Sequence, residues 1–479
     1  MSVFRDPALL QRAVDLASSF LERLPDRPAG ATASLDDLRR ALGGPLPDGP
    51  ADPRRVIEEL VSAGEPGLAS TAGPRFFGFV IGGAFPVSVA ADWLTTAWDQ
   101  PASAYVLSPT AAVVEEVAAG WIASLLGLPD DVSAGFVTGC HTANFTALAA
   151  ARHEVLRREG WDVEARGLQG APAVTVLLGQ EAHVSIFGAL RMLGLGAATA
   201  QRIEADDQGR MNPAALERAL AAARPPIIVC AQAGNVNTGA FDPLAPIAAA
   251  TRARGAWLHI DGAFGLWAAA HPGLRHHLAG IELADSWATD AHKWLNVPYD
   301  SGLVFTAHAA AHRAAMSLTA AYLVRGAGEE RIAMDWVPES SRRARGFPIY
   351  ATLKTIGRQG VVDLVDRCCR LARRMAHRLG AHPSVRILND VVLNQVLFDL
   401  KPSGGRDHDT FISDVVGRVQ REGTCWIGGT AWHGRPAIRV SVSNWATAEE
   451  DVDRSARAIL AAVDEADGSQ ARGSRLREG

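Results

Sequence analysis

Short apolar, β-rich runs alternate with helical segments through the middle of the chain, and this alternation constrains the fold more than any other feature. The runs are AVTVLLG (173–179), PIIVCAQ (226–232), AWLHID (256–261), SWATD (286–290) and GLVFT (302–306). Strands that alternate with helices form a mostly parallel sheet with helices on both faces. Ligands of such sheets bind at the carboxyl ends of the strands. The sequence therefore predicts an α/β fold with its site where these runs end.

The flanking segments predict further units. Residues 1–75 have helical apolar spacing and are expected to form an N-terminal arm, which packs on a second subunit or caps its own core. Residues 76–350 would form the large domain, and 351–466 a smaller α+β C-terminal domain. The polar tail 467–479 is expected to be disordered.

Composition excludes several classes of function. The 479 residues carry 47 basic and 52 acidic side chains, a balance that gives no electrostatic case for nucleic-acid or membrane partners. No apolar run reaches the roughly 18 residues that span a bilayer. The N-terminus is typical of an amphipathic helix and not of a signal peptide. The five cysteines have no metal-ligand spacing, so we expect no metal and a reduced, cytoplasmic setting.

Lysine is rare in this chain, which has only Lys293, Lys354 and Lys401 among its 47 basic residues. Arginine replaces lysine wherever charge alone is needed, but arginine cannot lose a proton and attack a carbonyl. Lys293 stands three residues after the run SWATD, in the segment DAHKW. We therefore interpret Lys293 as a reactive amine and assign no functional role to the other two lysines.

Polar residues follow other runs as well. Asp261 ends AWLHID, where a carboxylate could hold a protonated pyridine nitrogen or simply cap the next turn. His183 follows AVTVLLG and could stack on a cofactor ring or merely begin a helix. Asn235 follows PIIVCAQ in a Gly-rich exit that could line the same pocket.

The segment GFVTGCHTANF predicts a strand, a tight turn and a helix. Gly139, Cys140 and His141 stand at the start of that helix, where backbone N–H groups and the helix dipole suit a phosphate. The motif is weak by itself, because strand–glycine–helix junctions are common.

In this order the segments resemble the group II PLP-dependent amino-acid decarboxylases, which include the aromatic amino acid, glutamate and diaminobutyrate decarboxylases. The resemblance rests on HIDGA and DAHK at their spacing and extends from RFFGFV to RVSVSNW. It implies a fold-type I (aspartate aminotransferase-like) architecture. It also implies pyridoxal 5'-phosphate (PLP) as cofactor and a homodimer with shared active sites.

The resemblance also implies residue roles. Lys293 would hold PLP as a Schiff base, Asp261 would pair with the pyridine nitrogen, and His183 would stack on the ring. The full cofactor-binding set would be Gly139, Cys140, His141, His183, Asn235, Asp261, His292 and Lys293, with Ser185 a weaker candidate. The substrate-binding set would be Phe77, Phe79, Arg439 facing a carboxylate, and Tyr105 arriving from the second subunit.

The expected reaction is decarboxylation of an L-amino acid to an amine. One departure keeps alternatives open. The loop 325–346 contains no tyrosine, and Ala333 stands about where the family carries the tyrosine that protonates Cα, although Tyr322 and Tyr350 flank the loop. Decarboxylation coupled to oxidative deamination, which yields an aldehyde, is the first alternative. Others are β-elimination or transamination on a specialised substrate, and a PLP-binding regulator without turnover.

Overall fold

The computed structural model describes residues 7–318, 330–403 and 405–474. The chain divides into two compact units. One contains residues 82–373 and 388–397, and the other 1–81, 374–387 and 398–479. The N-terminal segment thus falls in the same unit as the C-terminal segments, and the domain boundaries expected at 75 and 350 stay predictions.

The helices and strands have the following bounds. The helices are α1 (Pro7–Arg23), α2 (Leu35–Leu42), α3 (Pro53–Gly64), α4 (Pro86–Trp98), α5 (Pro109–Leu126), α6 (Cys140–Arg158), α7 (Val163–Arg166), α8 (Val184–Met192), α9 (Pro213–Ala222), α10 (Leu244–Ala253), α11 (Ala309–Met316), α12 (Gly346–Gly380), α13 (His408–Glu422) and α14 (Glu449–Ser474). The strands are β1 (Ser133–Val137), β2 (Thr175–Gly179), β3 (Gln201–Ile203), β4 (Ile227–Gln232), β5 (Trp257–Asp261), β6 (Ser286–Asp290), β7 (Gly302–Thr306), β8 (Val385–Ile387), β9 (Gln395–Leu400), β10 (Gly428–Trp432) and β11 (Arg435–Ser441).

The larger sheet confirms the predicted α/β fold. Within the described ranges its strand order is β1-β7-β6-β5-β4-β2-β3. Only β7 runs antiparallel to its neighbours, and every other pairing in this sheet is parallel. Gln232 pairs with Asp261, and Asp261 with Ala288, so the carboxyl ends of β4, β5 and β6 lie side by side.

All five predicted runs are strands, namely β2, β4, β5, β6 and β7. Strands β4 to β7 are buried along their whole length, as expected for a sheet covered on both faces. The sequence did not predict β3, which is three residues long and has two exposed side chains. Such a strand carries no apolar run, and only its pairing with β2 defines it.

Helix α5 is capped at both ends. Ser108 Oγ accepts a hydrogen bond from Ala111 N at 3.4 Å, and Gly127 ends the helix at φ 68°. Its 18 residues are long and apolar enough to cross a bilayer by length and composition alone, with a mean hydropathy of 1.2, but half of them are buried inside the fold. Its Glu115 forms an ion pair with Arg342 at 2.7 Å, and both side chains are 1% exposed. These features are typical of a core helix.

The smaller sheet has the strand order β10-β11-β9-β8 within the described residues. Its β10–β11 and β8–β9 pairings are antiparallel, which agrees with the predicted α+β character of the C-terminal segment. Helix α14 runs to Ser474, into the tail 467–479 that the sequence predicts to be disordered.

Candidate active site

Lys293 lies just beyond the carboxyl end of β6, and Asp290 ends that strand. Lys293 Nζ lies 2.9 Å from Asp290 Oδ2, and the lysine side chain is 20% exposed. Burial is the largest single effect and opposes the charged amine, but the charge and hydrogen bond of Asp290, together with Cys140 and Asp261, outweigh it and raise the pKa of Lys293. Imine formation at neutral pH needs a lysine whose pKa is lowered, and burial alone would lower it. The structure supplies the burial, but Asp290 and the other groups around Lys293 Nζ reverse the result.

Cys140 begins α6 and joins two carboxylates. Its backbone N–H donates to Asp290 Oδ1 at 2.6 Å, and its thiol donates to Asp261 Oδ1 at 3.4 Å. Burial, followed by the charges of Asp261 and Asp290, raises the pKa of the Cys140 thiol well above its usual range, so the thiol keeps its proton. The side chain of Cys140 is thus directed to Asp261, and its own amide is already bonded.

Glycine allows the backbone to approach closely around this helix start. A Cβ atom at Gly302 on β7 would lie 2.5 Å from Gly139 Cα. A Cβ at Gly139 would lie 3.1 Å from His292 Cε1. His141 is exposed, and its Nε2 would lie 2.8 Å from a Cβ at Gly188 on α8. The residues predicted to hold a phosphate therefore lie close together, because Gly139 directly precedes α6 and lies next to the His292 ring.

His292 is 8% exposed and is held from several sides. Its Nδ1 accepts a hydrogen bond from Ser301 N at 3.1 Å, and its Nε2 lies 3.4 Å from Asp290 Oδ1. The ring of Tyr299 stacks on it with 4.3 Å between centroids. Burial lowers the pKa of His292, so the neutral ring carries its proton on Nε2.

Asp261 ends β5 and is 5% exposed. Three donors surround its carboxylate: the Cys140 thiol, Ala263 N at 3.2 Å, and Asn144 Nδ2 at 3.1 Å. These donors orient the carboxylate, which is the type of group that can hold a protonated ring nitrogen.

His183 is the N-cap residue of α8. Its Nδ1 accepts hydrogen bonds from Ser185 N at 3.3 Å and from Ser185 Oγ at 2.8 Å. Asn235 is 1% exposed, and its Oδ1 accepts hydrogen bonds from Asn237 N at 2.9 Å and Thr238 N at 3.1 Å. The side chain of Asn235 therefore stabilises its own turn, and its role toward a cofactor stays a prediction.

The predicted substrate-binding residues are divided between the two compact units. Phe77, Phe79 and Arg439 belong to the unit that does not contain Lys293, whereas Tyr105 belongs to the unit that does. Phe77 is 1% exposed, while Phe79 is 66% exposed and stacks on Trp426. Burial lowers the pKa of Arg439 to about 10. Their roles in substrate binding stay predictions.

Ala333 does not occupy an open loop position. It is 3% exposed and begins a 3-10 helix, Ala333–Trp336, that is anchored by a hydrogen bond from Met334 N to Ser103 O at 2.9 Å. Tyr350 stacks on Trp121 with 5.0 Å between centroids. Tyr322 lies outside the described residues.

Sequence reasoning missed Asn144 and His259 and gave Asp290 no role. A signal existed for the first two. His259 stands two residues before Asp261, so strand alternation places both on one face of β5. Asn144 stands one helical turn after Cys140 on α6. Asp290 was seen beside Lys293, but its contact with the N-terminus of α6 depends on tertiary structure.

The arrangement fits PLP, on the chemistry of its donors. An amine at Lys293 suits the cofactor aldehyde, a carboxylate with three donors at Asp261 suits the ring nitrogen, and the N-terminus of α6 suits the phosphate. The Cys140 amide is already bonded to Asp290. The phosphate would therefore be held by other N–H groups at the start of α6, near Gly139, and by His292. Among the described ranges, no cluster of three or more His, Cys, Asp or Glu side chains could hold a metal ion.

Comparison with known proteins leads to the same cofactor. Residues 36–401 match the pyridoxal-dependent decarboxylase conserved domain. Aromatic-L-amino-acid decarboxylase of Bacillus atrophaeus is 28% identical over 92% of each chain, and phenylacetaldehyde synthase of Arabidopsis thaliana is 23% identical over 92% of each. The crystal structure of Oryza sativa TDC with PLP and tryptamine has a TM-score of 0.90, at 24% identity, over 96% of this chain and 98% of that one. The chain therefore belongs to the family of pyridoxal-dependent decarboxylases, with PLP as its cofactor and the fold-type I architecture.

Proposed function

We propose that this enzyme removes the carboxyl group of an aromatic L-amino acid and releases the corresponding amine. The single observation that carries the proposal is the connection through Cys140, which joins the Lys293–Asp290 ion pair to Asp261. The amine and the acceptor carboxylate lie at the carboxyl ends of two adjacent strands, β6 and β5. The aromatic side chain is supported by the Bacillus relative, an aromatic-L-amino-acid decarboxylase.

When bound, PLP supplies a ring that accepts the electron pair left at the substrate α-carbon as CO2 departs. The protein residues divide the remaining work. Lys293 would hold the cofactor aldehyde, and Asp261 would keep the ring nitrogen protonated. Asp290 holds a proton on Lys293 Nζ, while the Cys140 thiol and Asn144 amide orient the Asp261 carboxylate. His183, with its proton on Nε2, would lie against the ring.

A panel of amino acids tests the substrate class. Purified enzyme with PLP is incubated with tryptophan, tyrosine, phenylalanine, glutamate, aspartate and cysteine sulfinate, and the products are identified by mass spectrometry. We expect the amine of at least one aromatic substrate to dominate, at about tenfold or more above any acidic substrate. Turnover of acidic substrates alone would contradict the aromatic proposal and leave the decarboxylase assignment in place.

A second product is possible in chemical terms, and one observation favours testing it. Ala333 is buried, and one relative is a phenylacetaldehyde synthase. In the oxidative reaction the amino acid, O2 and water give an aldehyde, CO2, ammonia and hydrogen peroxide. Oxygen uptake and peroxide release therefore distinguish the reactions. For the wild type we expect amine without peroxide.

Two tyrosine variants make this test specific. We expect Tyr322→Phe to lose amine and gain peroxide if Tyr322 protonates the α-carbon. Tyr350→Phe is the matched control, because Tyr350 stacks on Trp121 and should leave the product ratio unchanged. If both variants keep the amine-to-peroxide ratio of the wild type, neither tyrosine is the acid.

We infer that the enzyme is a cytoplasmic homodimer. Helices α2 and α3 have apolar faces but contain no buried residues, and Leu35, Val56 and Leu60 are 63%, 46% and 56% exposed. A second copy would cover such a surface. The five cysteines, all within the described residues, are free, as suits a reducing compartment. Light scattering of the wild type should give twice the chain mass. The double variant Leu35→Glu with Leu60→Glu should give the mass of one chain. A monomeric wild type would contradict the inference.

A further inference from the structure

A chain of buried hydrogen bonds leads from the sheet core to the candidate site. Trp257 Nε1 donates to Ser286 Oγ at 2.9 Å, and Ser286 Oγ lies 2.9 Å from His259 Nδ1. His259 Nε2 lies 2.9 Å from Asn144 Oδ1. All four residues are 0% exposed. No solvent therefore competes for these bonds.

Beyond Asn144 the chain divides into two branches. Asn144 Nδ2 lies 3.1 Å from Asp261 Oδ2 and 3.2 Å from Ser185 Oγ. Ser185 Oγ lies 2.8 Å from His183 Nδ1. One amide thus contacts both the carboxylate expected to hold the ring nitrogen and the serine beside the histidine expected to stack on the ring.

Chemistry fixes the direction of every bond in the chain. The Asp261 carboxylate can only accept, so the amide group of Asn144 that faces it must be the NH2 group. Its carbonyl oxygen then faces His259, whose Nε2 must carry a proton. Burial lowers the pKa of His259 to about 4 despite the nearby Asp261 charge, so the ring is neutral and its Nδ1 has no proton.

The two ends of the chain agree with this direction. A bare Nδ1 on His259 requires the Ser286 hydroxyl to donate, which leaves its oxygen free to accept from the Trp257 indole, a group that can only donate. At the other end, Ser185 accepts from Asn144 and donates to His183 Nδ1. The backbone N–H of Ser185 also points at that atom, at 3.3 Å. Each donor in the chain therefore meets an acceptor.

We propose that Asn144 and His259 are positioning residues: the one-way chain from Trp257 orients the Asn144 amide, which in turn holds Asp261 as an acceptor and fixes the proton of His183 on Nε2. This inference rests on the roles proposed for Asp261 and His183, but the direction of the chain is a property of the protein alone. Loss of the His259 donor would free the Asn144 amide to rotate. The carboxylate and His183 would then lose their fixed donors together.

The first test measures the direction without any activity. Protein labelled with 15N-histidine is studied by solid-state NMR at neutral pH, and the His259 signals are assigned by their loss in His259→Gln. The inference predicts a neutral His259 with a proton on Nε2 and none on Nδ1. A proton on Nδ1, or a charged ring, would overturn it, whether or not the protein binds PLP.

The second test links the chain to the cofactor. PLP affinity and the pH midpoint of the cofactor's visible absorption band are measured in His259→Leu, which lacks the donor, and in His259→Gln, which keeps one. We expect about tenfold weaker PLP binding and a shifted midpoint in His259→Leu and in Asn144→Leu, with recovery in His259→Gln.

His312→Leu is the matched control. His312 is also 0% exposed, and it bonds Ser133 Oγ at 3.0 Å and Trp336 O at 2.9 Å, away from Asp261. The His312→Leu variant should lower thermal stability as much as His259→Leu does, but it should leave the pH midpoint of the absorption band unchanged. Equal midpoints in the two leucine variants would overturn the positioning role. A wild type that binds no PLP would instead refute the proposed function, while the NMR result would still stand.

Discussion

Lys293 and Asp290 form an ion pair at 2.9 Å, and the other oxygen of the same carboxylate accepts the first amide of α6 at 2.6 Å. One carboxylate thus holds the reactive amine against the helix N-terminus. Its charge is also the largest of the effects that raise the pKa of Lys293 against burial.

Asp290→Asn should change the pH dependence of cofactor capture. The amine must lose its proton to react with the PLP aldehyde, and loss of the Asp290 charge removes the largest of the effects that raise the pKa of Lys293. The pH at which apoprotein captures PLP at half its maximal rate should fall by about one unit or more. Asp300→Asn is the control, since Asp300 pairs with Arg345 at 2.6 Å and not with Lys293. An unchanged profile in Asp290→Asn would refute this prediction.

Acid should destabilise the fold through two buried histidines. Burial lowers the pKa of His259 to about 4 and that of His312 to about 3. The unfolded chain, with histidine pKa values near 6.5, therefore binds more protons than the fold, and stability falls as the pH drops from about 6.5 toward 4. For His259 the loss should be roughly 2 kcal/mol by pH 4.5.

Comparison of wild type with His259→Gln isolates this effect. Burial raises the pKa of Asp242 to about 6, which adds stability as the pH falls and opposes the histidines, but it does so equally in both proteins. Urea unfolding at neutral pH and at pH 4.5 should show a smaller loss in His259→Gln. The same loss in both proteins would count against a neutral, buried His259.

Replacing one partner of the buried Glu115–Arg342 ion pair should lower the free energy of unfolding. Both side chains are 1% exposed, so Glu115→Gln leaves a buried guanidinium without its partner and should cost about 3 kcal/mol of unfolding free energy. The double variant Glu115→Leu with Arg342→Met should cost less than the sum of the single variants. Glu59→Gln, which breaks the exposed Arg55–Glu59 pair, should cost less than about 0.5 kcal/mol. Strict additivity would contradict the coupling.

Gly302→Ala should damage the site from a distance. Its Cβ would meet Gly139 Cα at 2.5 Å, and Gly139 Cα is a backbone atom that cannot move aside easily. The start of α6 would shift, and we expect a loss of about 1–3 kcal/mol with weaker PLP binding. Gly120→Ala on α5 has no atom within 4 Å of the new Cβ and should keep or slightly raise stability. Normal PLP binding by Gly302→Ala would argue against this close approach.

Local patterns predicted the elements that carry their own signal. Strands β5 and β6 are short β-rich runs between helical segments, and they end in Asp261 and Asp290. Those features can be predicted from the sequence because each is contained in one short segment.

Features that depend on distant residues could not be predicted in this way. Asn144 and His259 are 115 residues apart along the chain, and only the packing of α6 on β5 brings them to 2.9 Å. The raised pKa of Lys293 depends on the rotamer that brings it to Asp290. Likewise, no local pattern shows that Ala333 is buried.

The most direct test of the account is to locate the cofactor on the chain. The enzyme with PLP is reduced with borohydride and digested, and the peptides are mapped by mass spectrometry; the three lysines make the result easy to read. The account predicts a pyridoxyl group on Lys293 alone and none in Lys293→Arg, which also loses about 10³-fold or more of its activity. A modified Lys354 or Lys401, or an unmodified protein that still turns over substrate, would contradict it.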